Sequence, residues 1–422
     1  MTEIEARYRA RTPRSASMTG RAKSVMPGGS TRNFGYHPPY PVVIDRGEGN
    51  TVWDVDGCRY IDLAQNGLSL IHGHAFAPVT EALRSAAEKG TAWTGASLPQ
   101  IEFAELLQRR LPLLELIRFT NSGTEAAMVA AKIARHATGR PLLLKAVGGY
   151  HGTYDDLEAG LHGRGELAGR TLLAEFGDAA CFAEAFSRHP GQIAAVVIEA
   201  VKFSGVAEVP PPGFLQELQS MARAAGALFV LDDCLMFRLA VGGSSEKYRL
   251  EPDLVVLGKF LGGGLPMGAV GGRGDVMGVA DPARPDRLVL GGSFNGNVLT
   301  ATAGLAALTH LTGEAIDRMD RSAEQLREQI GKAAAAEGLR MTLAGEGSAF
   351  GMRLEGLSEA EGPALHADEA NRLLQLACSN HGVLIGTGGK LGITTTMTSA
   401  ELDLAAQSIT AAVRDIARQA RA

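Results

Sequence analysis

The chain has 422 residues, more than one compact core usually accommodates, so we expect a large domain and at least one smaller one. Its 21% charged residues, 45% hydrophobic residues and net charge of −5 are those of an ordinary globular protein, and they argue against nucleic acid as a main partner. No apolar stretch has membrane-spanning length, and the polar first 14 residues lack the apolar core of a signal peptide, so a cytoplasmic location is expected.

The N-terminal part of the chain predicts a helical arm followed by short strands. The helical pattern over residues 1–26 is stopped by Pro27, Gly28 and Gly29. Three β-like runs follow at residues 42–45, 51–54 and 59–63. The Asp-Gly pair at 56–57, between the last two runs, is a hairpin turn signal.

From about residue 77 the chain alternates between helical patterns and short apolar runs. Strands are predicted at 116–120, 142–145, 193–198, 227–231, 254–257 and 269–271. Helices between them are predicted at 101–111, 125–138, 179–188 and 214–225. This alternation predicts an α/β fold in which a mainly parallel sheet is covered by helices on both faces. Ligands of such sheets bind beyond the carboxyl ends of the strands.

The C-terminal part predicts a smaller α+β unit. A long helical pattern over 298–337 leads into it, and strands near 341, at 350–354 and near 383 combine there with helices at 368–379 and from 400 onward. We therefore expect an N-terminal arm and small-domain segment at 1–76, a large ligand-binding domain at 77–312 and a C-terminal small domain at 313–422.

The cysteines predict neither disulfides nor a metal site. They are scattered along the chain and contain no CxxC pair: Cys58, Cys181, Cys234 and Cys378. Free thiols are therefore expected, and no metal is predicted.

Lys259 is the residue with the most informative position. It follows the apolar strand at 254–257 and opens a turn that contains Gly262, Gly263 and Gly264. Burial lowers the pKa of an amine, and the neutral amine is the form that attacks a carbonyl carbon. The glycines allow the backbone to approach a bulky partner. The first hypothesis is an aldehyde cofactor, pyridoxal 5′-phosphate (PLP), held by Lys259 as a Schiff base; the alternative is a solvated lysine at a strand end.

Asp232 provides the acidic group that such a cofactor requires. It ends the strand predicted at 227–231, and so it lies at the ligand edge of the sheet. Beside a pyridine ring, a carboxylate would keep the ring nitrogen protonated, and the ring would then accept electrons. The alternative is an aspartate that only caps a helix or turn.

Two polar turns are candidate phosphate sites. Residues 121–125, Asn-Ser-Gly-Thr-Glu, open a helix whose first amides would form a phosphate cup with the hydroxyls of Ser122 and Thr124. An ordinary capping box of Ser122 and Glu125 is the alternative. Residues 292–297 precede another helix and offer the Ser293 hydroxyl, although a plain loop with a helix cap explains that pattern as well.

Tyr150 and Arg32 are candidates for ring and carboxylate binding. Tyr150 and His151 lie in a glycine loop at 148–152, and a flat ring on such a loop would stack on the cofactor. Arg32 lies in the loop at 28–33, and its guanidinium would bind a substrate carboxylate through two hydrogen bonds. A surface tyrosine and a solvated surface arginine are the alternatives.

Taken together and in this order, these segments resemble the class III, PLP-dependent aminotransferase family of fold type I over nearly the whole chain. The branch they resemble most holds glutamate-1-semialdehyde aminomutase and the β-amino-acid (β-phenylalanine-type) aminotransferases. RFTNSGTEA and EPDLVVLGKFLGGGLPMGAVGGR are the most specific segments. The others are MPGGSTR, VWDVDGCRYIDL, GGYHG, PPGFLQEL, LDDCLMFRLA and GGSFNGNVLTATAG.

The resemblance implies a role for each candidate. Lys259 is similar to the family's Schiff-base lysine and proton shuttle, Asp232 to the partner of the pyridine nitrogen, and Arg32 to the arginine that binds a substrate carboxylate. The remaining cofactor contacts that it implies are Ser122, Gly123, Thr124, Tyr150, His151, Glu199 and Cys234. Ser293, where the family usually has threonine, would contact the phosphate of the neighbouring subunit. The resemblance therefore implies a homodimer with shared active sites.

The departures from the family bear on the substrate. Residues 232–234 read Asp-Asp-Cys instead of Asp-Glu-Val, and residues 199–201 read Glu-Ala-Val instead of Glu-Pro-Val. Residues 386–390, Gly-Thr-Gly-Gly-Lys, lack the second carboxylate-binding arginine of the β-amino-acid branch, and this region also lacks the glutamate found in the aminomutase branch.

The expected reaction moves an amino group between an amino acid, β-amino acids included, or an amine and a keto acid. An intramolecular amino transfer like that of the aminomutase is the first alternative. Another fold type I reaction, such as racemisation, is the second, because the outcome depends on which substrate bond stands perpendicular to the ring. A non-catalytic binding protein with this fold is the third.

Overall fold

The computed structural model describes residues 1–33, 35–161, 169–204, 206–355 and 367–421. The chain divides into two compact units. The small unit consists of Met1–Phe76 and Asp317–Ala422, and the large unit is Ala77–Ile316. Among the described residues, no helix combines the length and the apolar character that a membrane crossing needs.

The strands and helices are numbered in chain order. The strands are β1 (Ile44–Glu48), β2 (Thr51–Asp54), β3 (Arg59–Asp62), β4 (Leu116–Thr120), β5 (Leu142–Ala146), β6 (Thr171–Ala174), β7 (Ile193–Glu199), β8 (Leu228–Asp232), β9 (Leu254–Leu257), β10 (Gly268–Gly272), β11 (Met341–Glu346), β12 (Ala349–Leu354), β13 (Val383–Leu384) and β14 (Lys390–Gly392). The helices are α1 (Glu3–Arg11), α2 (Pro13–Lys23), α3 (Gln65–Leu68), α4 (Ala77–Ala87), α5 (Leu98–Arg110), α6 (Gly123–Thr138), α7 (Asp155–Glu158), α8 (Ala179–Arg188), α9 (Phe214–Ala224), α10 (Gly243–Tyr248), α11 (Gly274–Met277), α12 (Val298–His310), α13 (Gly313–Ala336), α14 (Ala367–Asn380) and α15 (Ser399–Arg421).

The large unit is built on a seven-stranded sheet with the order β4-β10-β9-β8-β7-β5-β6. Within the described residues β10 is the one strand that runs against the others, pairing antiparallel with both β4 and β9. All four residues of β9 are buried, as expected for a strand covered on both faces. The α/β fold with a mainly parallel sheet, predicted from the sequence, is confirmed.

The core lies on both faces of this sheet because side chains alternate along each strand. Val197 and Val230 face one side, where they pack with apolar residues of α6. Their neighbours Val196 and Phe229 face the other side, where they pack with residues of α8 and α9. The strands are therefore held from above and below, and their carboxyl ends form a rigid edge.

Two predicted helices are each divided in the structure. The pattern over 298–337 is interrupted between α12 and α13. The Arg110 guanidinium donates hydrogen bonds to the carbonyls of Leu308 and Leu311 at the end of α12. The Thr312 hydroxyl then caps the start of α13. The predicted arm over 1–26 is divided at Thr12, because Pro13 cannot continue a helix but begins one well. Strands β6 and β14 were not predicted; β14 has only three residues.

The small unit contains two sheets, with the orders β1-β2-β3-β13 and β11-β12-β14. Helices α1 and α15 both pack against α14 in this unit. The segment α3, between β3 and the large unit, is a left-handed turn in which Gln65, Asn66, Gly67 and Leu68 all have positive φ.

Candidate active site

The candidate site is formed where four neighbouring strands of the large unit end. In the parallel register, Glu199 of β7 lies opposite Asp232 of β8, and Asp232 lies opposite Val256 of β9. Lys259 follows Val256 by three residues, directly beyond the end of β9. The loop that contains Tyr150 follows β5, on the other side of β7. Sheet topology alone therefore places these groups along one edge.

Asp232 and His151 form a buried pair. The His151 Nδ1 lies 2.7 Å from the Asp232 Oδ2, and the Cys234 amide donates to the Asp232 Oδ1 at 3.1 Å. Burial by itself would raise the pKa of Asp232, but the hydrogen bond and charge of His151 and the Cys234 amide outweigh it and hold the pKa below its ordinary value. The carboxylate is therefore ionised. The His151 Nε2, also buried, has no hydrogen-bond partner in the described part of the chain.

Lys259 combines an unusual backbone conformation with an unpaired side-chain amine. Its φ is 52°, a left-handed value that is rare for a residue with a side chain. The side chain is half-buried, and among the described residues its amine has no hydrogen-bond partner. A strained backbone that aims a free amine at the ligand edge of a sheet is typical of a functional lysine.

Two backbone segments pack closely against the Cys234 side chain. A Cβ added at Gly123 would lie 3.0 Å from the Cys234 Sγ, and one added at Gly258 would lie 3.0 Å from the same atom. The loops before α6 and after β9 therefore meet over this thiol only because both positions are glycine. Burial raises the pKa of Cys234 well above its ordinary value, so this residue is a neutral thiol.

The turn at 121–125 caps α6 and is hydrogen-bonded to the turn that contains Ser293. The Ser122 Oγ accepts a hydrogen bond from the Glu125 amide at 3.1 Å, so the predicted capping role of Ser122 is present. The amides of Gly123 and Thr124 occupy the first two positions of the helix and have no acceptor within it. The Asn121 side chain donates to the Asn295 Oδ1 at 2.8 Å, which ties this turn to the turn that contains Ser293.

Glu199 anchors the Tyr150 loop. The Glu199 Oε2 accepts a hydrogen bond from the Tyr150 amide at 3.0 Å. Burial raises the pKa of Glu199 above its ordinary range, although the nearby His151 opposes the shift. Tyr150 as a whole is 49% exposed. The loop after β5 is thus fixed at its backbone while its aromatic ring remains accessible.

Lys145 was missed at the sequence level. Its amine is fully buried and donates to three carbonyls, those of Gly149 at 2.8 Å, Leu157 at 2.9 Å and Ala159 at 2.8 Å. Burial lowers the pKa of Lys145 to about 8. The amine orders the loop that contains Tyr150. A lysine inside an apolar strand was the available signal, but its partners lie in the later segment 149–159.

The burial of the Asp233 carboxyl was also not predicted from the sequence. The Ser244 amide donates to its Oδ2 at 2.9 Å, and the Ser244 hydroxyl donates to its Oδ1. Burial raises the pKa of Asp233 to about 7, and the charge of Asp232 adds to the shift. The two adjacent carboxyls therefore differ: Asp232 is ionised, and Asp233 retains its proton until near neutral pH.

Arg32 and Ser293 are the predicted residues that lie in exposed loops. Arg32 belongs to the small unit, where it is exposed and donates to the Asn66 Oδ1 at 2.6 Å. Ser293 is exposed in the large unit. The other predicted residues lie in the connected segments described above, and the role of each remains a prediction.

This set of groups fits PLP. The cofactor has an aldehyde, a basic ring nitrogen and a phosphate, and the site offers an uncommitted amine, an ionised buried carboxylate and two free amides at a helix start. The unsatisfied His151 Nε2 is a buried polar atom of the kind that a ligand or a water satisfies.

The sequence profile of the family described as "Aminotransferase class-III" matches residues 33–159 and 175–413. The chain belongs to this family. Class III aminotransferases use PLP, so the family, the fold type and the cofactor predicted from the sequence are confirmed. The chain is thus a PLP-dependent enzyme of the transaminase type.

Three relatives illustrate the range of the family. A β-phenylalanine transaminase of Variovorax paradoxus is 38% identical over 330 residues, covering 76% of this chain and 74% of the relative. A glutamate-1-semialdehyde 2,1-aminomutase of Chloroflexus aurantiacus is 37% identical over 351 residues, covering 78% of each. A solved structure described as a transaminase with PLP bound superposes with a TM-score of 0.92 at 33% identity, covering 97% of this chain and 99% of that one.

The Asp233→Asn variant tests the assignment of the two carboxyls. Between pH 3.8 and about 7 the native Asp233 keeps a proton that the unfolded chain has lost, so the wild-type free energy of unfolding falls as the pH rises through this window. The asparagine amide keeps partners at Ser244 and never ionises. We therefore compare the free energy of unfolding of the variant with that of the wild type at each pH, using thermal midpoints. From pH 4 to pH 8 this difference should shift by roughly 1–3 kcal/mol in favour of the variant.

The matched control for this experiment is Asp403→Asn, which changes an exposed aspartate of α15. Its midpoints should follow those of the wild type across the same pH range. If Asp233→Asn also gave a curve parallel to the wild type, Asp233 would not be protonated in the native protein.

Proposed function

We propose that the protein is an aminotransferase that transfers an amino group from a donor with one carboxylate, of the β-amino-acid type, to a keto acid. The observation that carries the proposal is the ionised Asp232 carboxylate, hydrogen-bonded to His151, at the same sheet edge as the Lys259 amine. A β-phenylalanine transaminase among the relatives supports the donor class. The presence of Arg32 supports recognition of a carboxylate.

When bound, PLP supplies an electron sink for the carbon that loses a proton. Asp232 would hold the ring nitrogen in its protonated form, since its own pKa is low and His151 fixes its direction. Lys259 would hold the cofactor at its aldehyde carbon. Its amine would also serve as the base that takes the proton from the donor carbon bearing the amino group, and then as the acid that gives this proton to the former aldehyde carbon.

The remaining candidates would hold the cofactor in place. The amides of Gly123 and Thr124, with the Ser122 hydroxyl, would bind the phosphate at the start of α6. The accessible Tyr150 ring would stack on one face of the pyridine, and the neutral Cys234 thiol would pack under the other. Glu199 and His151 would support this arrangement through the contacts already described.

We also propose that the protein is a homodimer in which Ser293 contacts the phosphate of the partner subunit. Exposed apolar residues support this: Leu98 is 64% exposed, Ile101 50% and Phe294 61%. A groove of about 620 Å³ runs between α5 and the turn at 290–295. Its lining combines apolar side chains such as Ile101 and Leu290 with polar ones such as Gln100 and Arg118, a mixture that suits an interface with a second copy of this chain.

A cytoplasmic location is the remaining proposal, and free thiols support it. The structure forms no disulfide from the four cysteines, as is typical of proteins in reducing compartments.

An intramolecular amino transfer is the second candidate, because an aminomutase matches this chain almost as well as the transaminase does. The two reactions differ in their requirement for an acceptor. The transaminase consumes a keto acid in every cycle, whereas the aminomutase reaction proceeds without one.

The Lys259→Ala variant tests the reaction type. Without this amine no group on the chain binds the aldehyde carbon and moves the proton, so we expect turnover to fall below detection. The visible absorbance of the PLP-loaded wild type should bleach on mixing with a β-amino acid and return when a keto acid is added. Lys132→Ala, which removes an exposed lysine of α6, should retain activity. Full turnover by Lys259→Ala without an added amine would refute the assignment.

The Arg32→Gln variant tests donor recognition. A hydrogen-bonded guanidinium–carboxylate contact contributes about 1.5–3 kcal/mol, so KM for 3-amino-3-phenylpropanoate should rise on the order of 10–100-fold. The matched donor without a carboxylate, 1-phenylethylamine, should keep its KM. An equal change for both donors would contradict carboxylate binding by Arg32.

The Ile101→Lys variant tests the dimer. The ammonium would have to be buried between the two copies, which is unfavourable, so the mass measured by light scattering should fall from twice 44.2 kDa to 44.2 kDa. Leu404→Lys is the matched control, because Leu404 is a similarly exposed leucine on α15 at 45% exposure. A monomeric wild type would exclude the proposed dimer.

A further inference from the structure

The left-handed turn α3 is the most unusual backbone segment of the small unit. Gln65, Asn66 and Leu68 have φ values of 46°, 51° and 63°, and Gly67 has 74°. Residues with a Cβ avoid this region, and consecutive ones are rarer still. Strain of this kind persists where the surrounding structure enforces it, and it occurs preferentially at functional sites.

Buried contacts enforce the turn from the inside. The Asp62 Oδ1 accepts hydrogen bonds from the amides of Ala64 and Gln65, each at 2.9 Å, while its Oδ2 lies 2.8 Å from the His74 Nε2. The fully buried Gln65 side chain donates to the Gly392 carbonyl. Because residue 65 is held inward, the next residue, Asn66, is turned outward to the surface.

The outward Asn66 side chain contacts Arg32. Its Oδ1 accepts the hydrogen bond from the Arg32 Nη1 at 2.6 Å, and its Nδ2 donates to the Ser69 Oγ at 3.0 Å. The Ser69 hydroxyl donates in turn to the Asn66 carbonyl at 3.0 Å. The amide is therefore held at both ends, with its oxygen toward the guanidinium.

A neutral acceptor is well suited to this position. The Asn66 oxygen takes one of the five N–H donors of Arg32 and leaves the guanidinium its full positive charge. An aspartate at the same place would form an ion pair with Arg32 and compete with a substrate carboxylate. The loop that contains Arg32 is also tied to the turn at 386–390, since the Gly35 amide donates to the Thr387 Oγ1 at 3.2 Å.

We propose that Asn66 is a positioning residue that directs the Arg32 guanidinium toward the carboxylate of the donor. This inference rests on the proposed role of Arg32 as the carboxylate-binding residue. It adds a determinant of selectivity for donors with one carboxylate: the left-handed turn presents a neutral acceptor, and the acceptor fixes the arginine without consuming its charge.

The Asn66→Gly variant tests the proposal, because glycine adopts the positive φ of residue 66 freely and only the side-chain contact is lost. For 3-amino-3-phenylpropanoate we expect KM to rise about tenfold while kcat stays the same, since the reacting groups are unchanged. KM for 1-phenylethylamine should not change. The dissociation constant of 3-phenylpropanoate, which has the carboxylate but no amino group, should rise by the same factor in calorimetric titrations of the PLP-loaded enzyme.

Asn66→Asp provides the opposite perturbation at the same position. It keeps a contact to Arg32 but neutralises it, so KM for the β-amino acid should rise further, on the order of 100-fold, again without an effect on 1-phenylethylamine. Ser69→Ala releases the far end of the Asn66 amide and should give a smaller rise, about threefold.

The outcomes separate this inference from the proposed function. An unchanged KM in Asn66→Gly, together with a raised KM in Arg32→Gln, overturns the positioning role and leaves carboxylate binding by Arg32 intact. An unchanged KM in Arg32→Gln removes carboxylate binding and the inference with it. A rise in KM for both donors shows that the turn is merely structural and overturns the inference. If Asn66→Gly fails to fold, Asn66→Asp and Ser69→Ala decide the question by the same comparison.

Discussion

A carboxylate buried at the end of a sheet needs compensation, and in this protein His151 and a backbone amide provide it for Asp232. Their hydrogen bonds keep the carboxylate ionised although it is removed from water. The other elements of the site depend on this pair. His151 is held in place by a loop that Lys145 and Glu199 fix at its backbone. The loop, the strand ends and the pair therefore form one preorganised structure, so Asp232, the proposed partner of the ring nitrogen, is in position before the cofactor binds.

Close backbone packing brings the remaining groups to the same place. Glycine at positions 123 and 258 lets two loops meet over the Cys234 thiol, and glycine at 152 lets a third pass Thr124, since a Cβ there would lie 2.6 Å from the Thr124 Cα. The chain has 53 glycines, and these three are used where loops from different strands converge. The Lys259 amine emerges beside them on a backbone of positive φ.

The proposed recognition of the donor by Arg32 depends on surface contacts instead of burial. Arg32 is an exposed group of the small unit, and its direction is set by surface hydrogen bonds instead of burial. Such contacts are individually weak, and so this chain supports the arginine by a strained turn whose strain is compensated by the buried Asp62 and Gln65. In the proposed function Arg32 binds the one substrate carboxylate, and Lys390 is the cation that the turn at 386–390 offers where the β-amino-acid branch has its second arginine.

The amino-acid sequence determined the family, the cofactor, the α/β fold and most strand positions, because these follow from local patterns: apolar runs, helix starts and specific motifs such as RFTNSGTEA. Strands β4 and β9 were predicted at their observed ends. The divisions at Thr12 and after His310 were not, since they depend on a proline and on a distant arginine that outweigh a continuous helical pattern. Only the tertiary structure decided that His151 pairs with Asp232 and that Lys145 and Asn66 support the proposed cofactor and carboxylate sites. Those contacts join residues up to 81 positions apart, and no local pattern encodes which distant polar groups will satisfy one another once water is excluded.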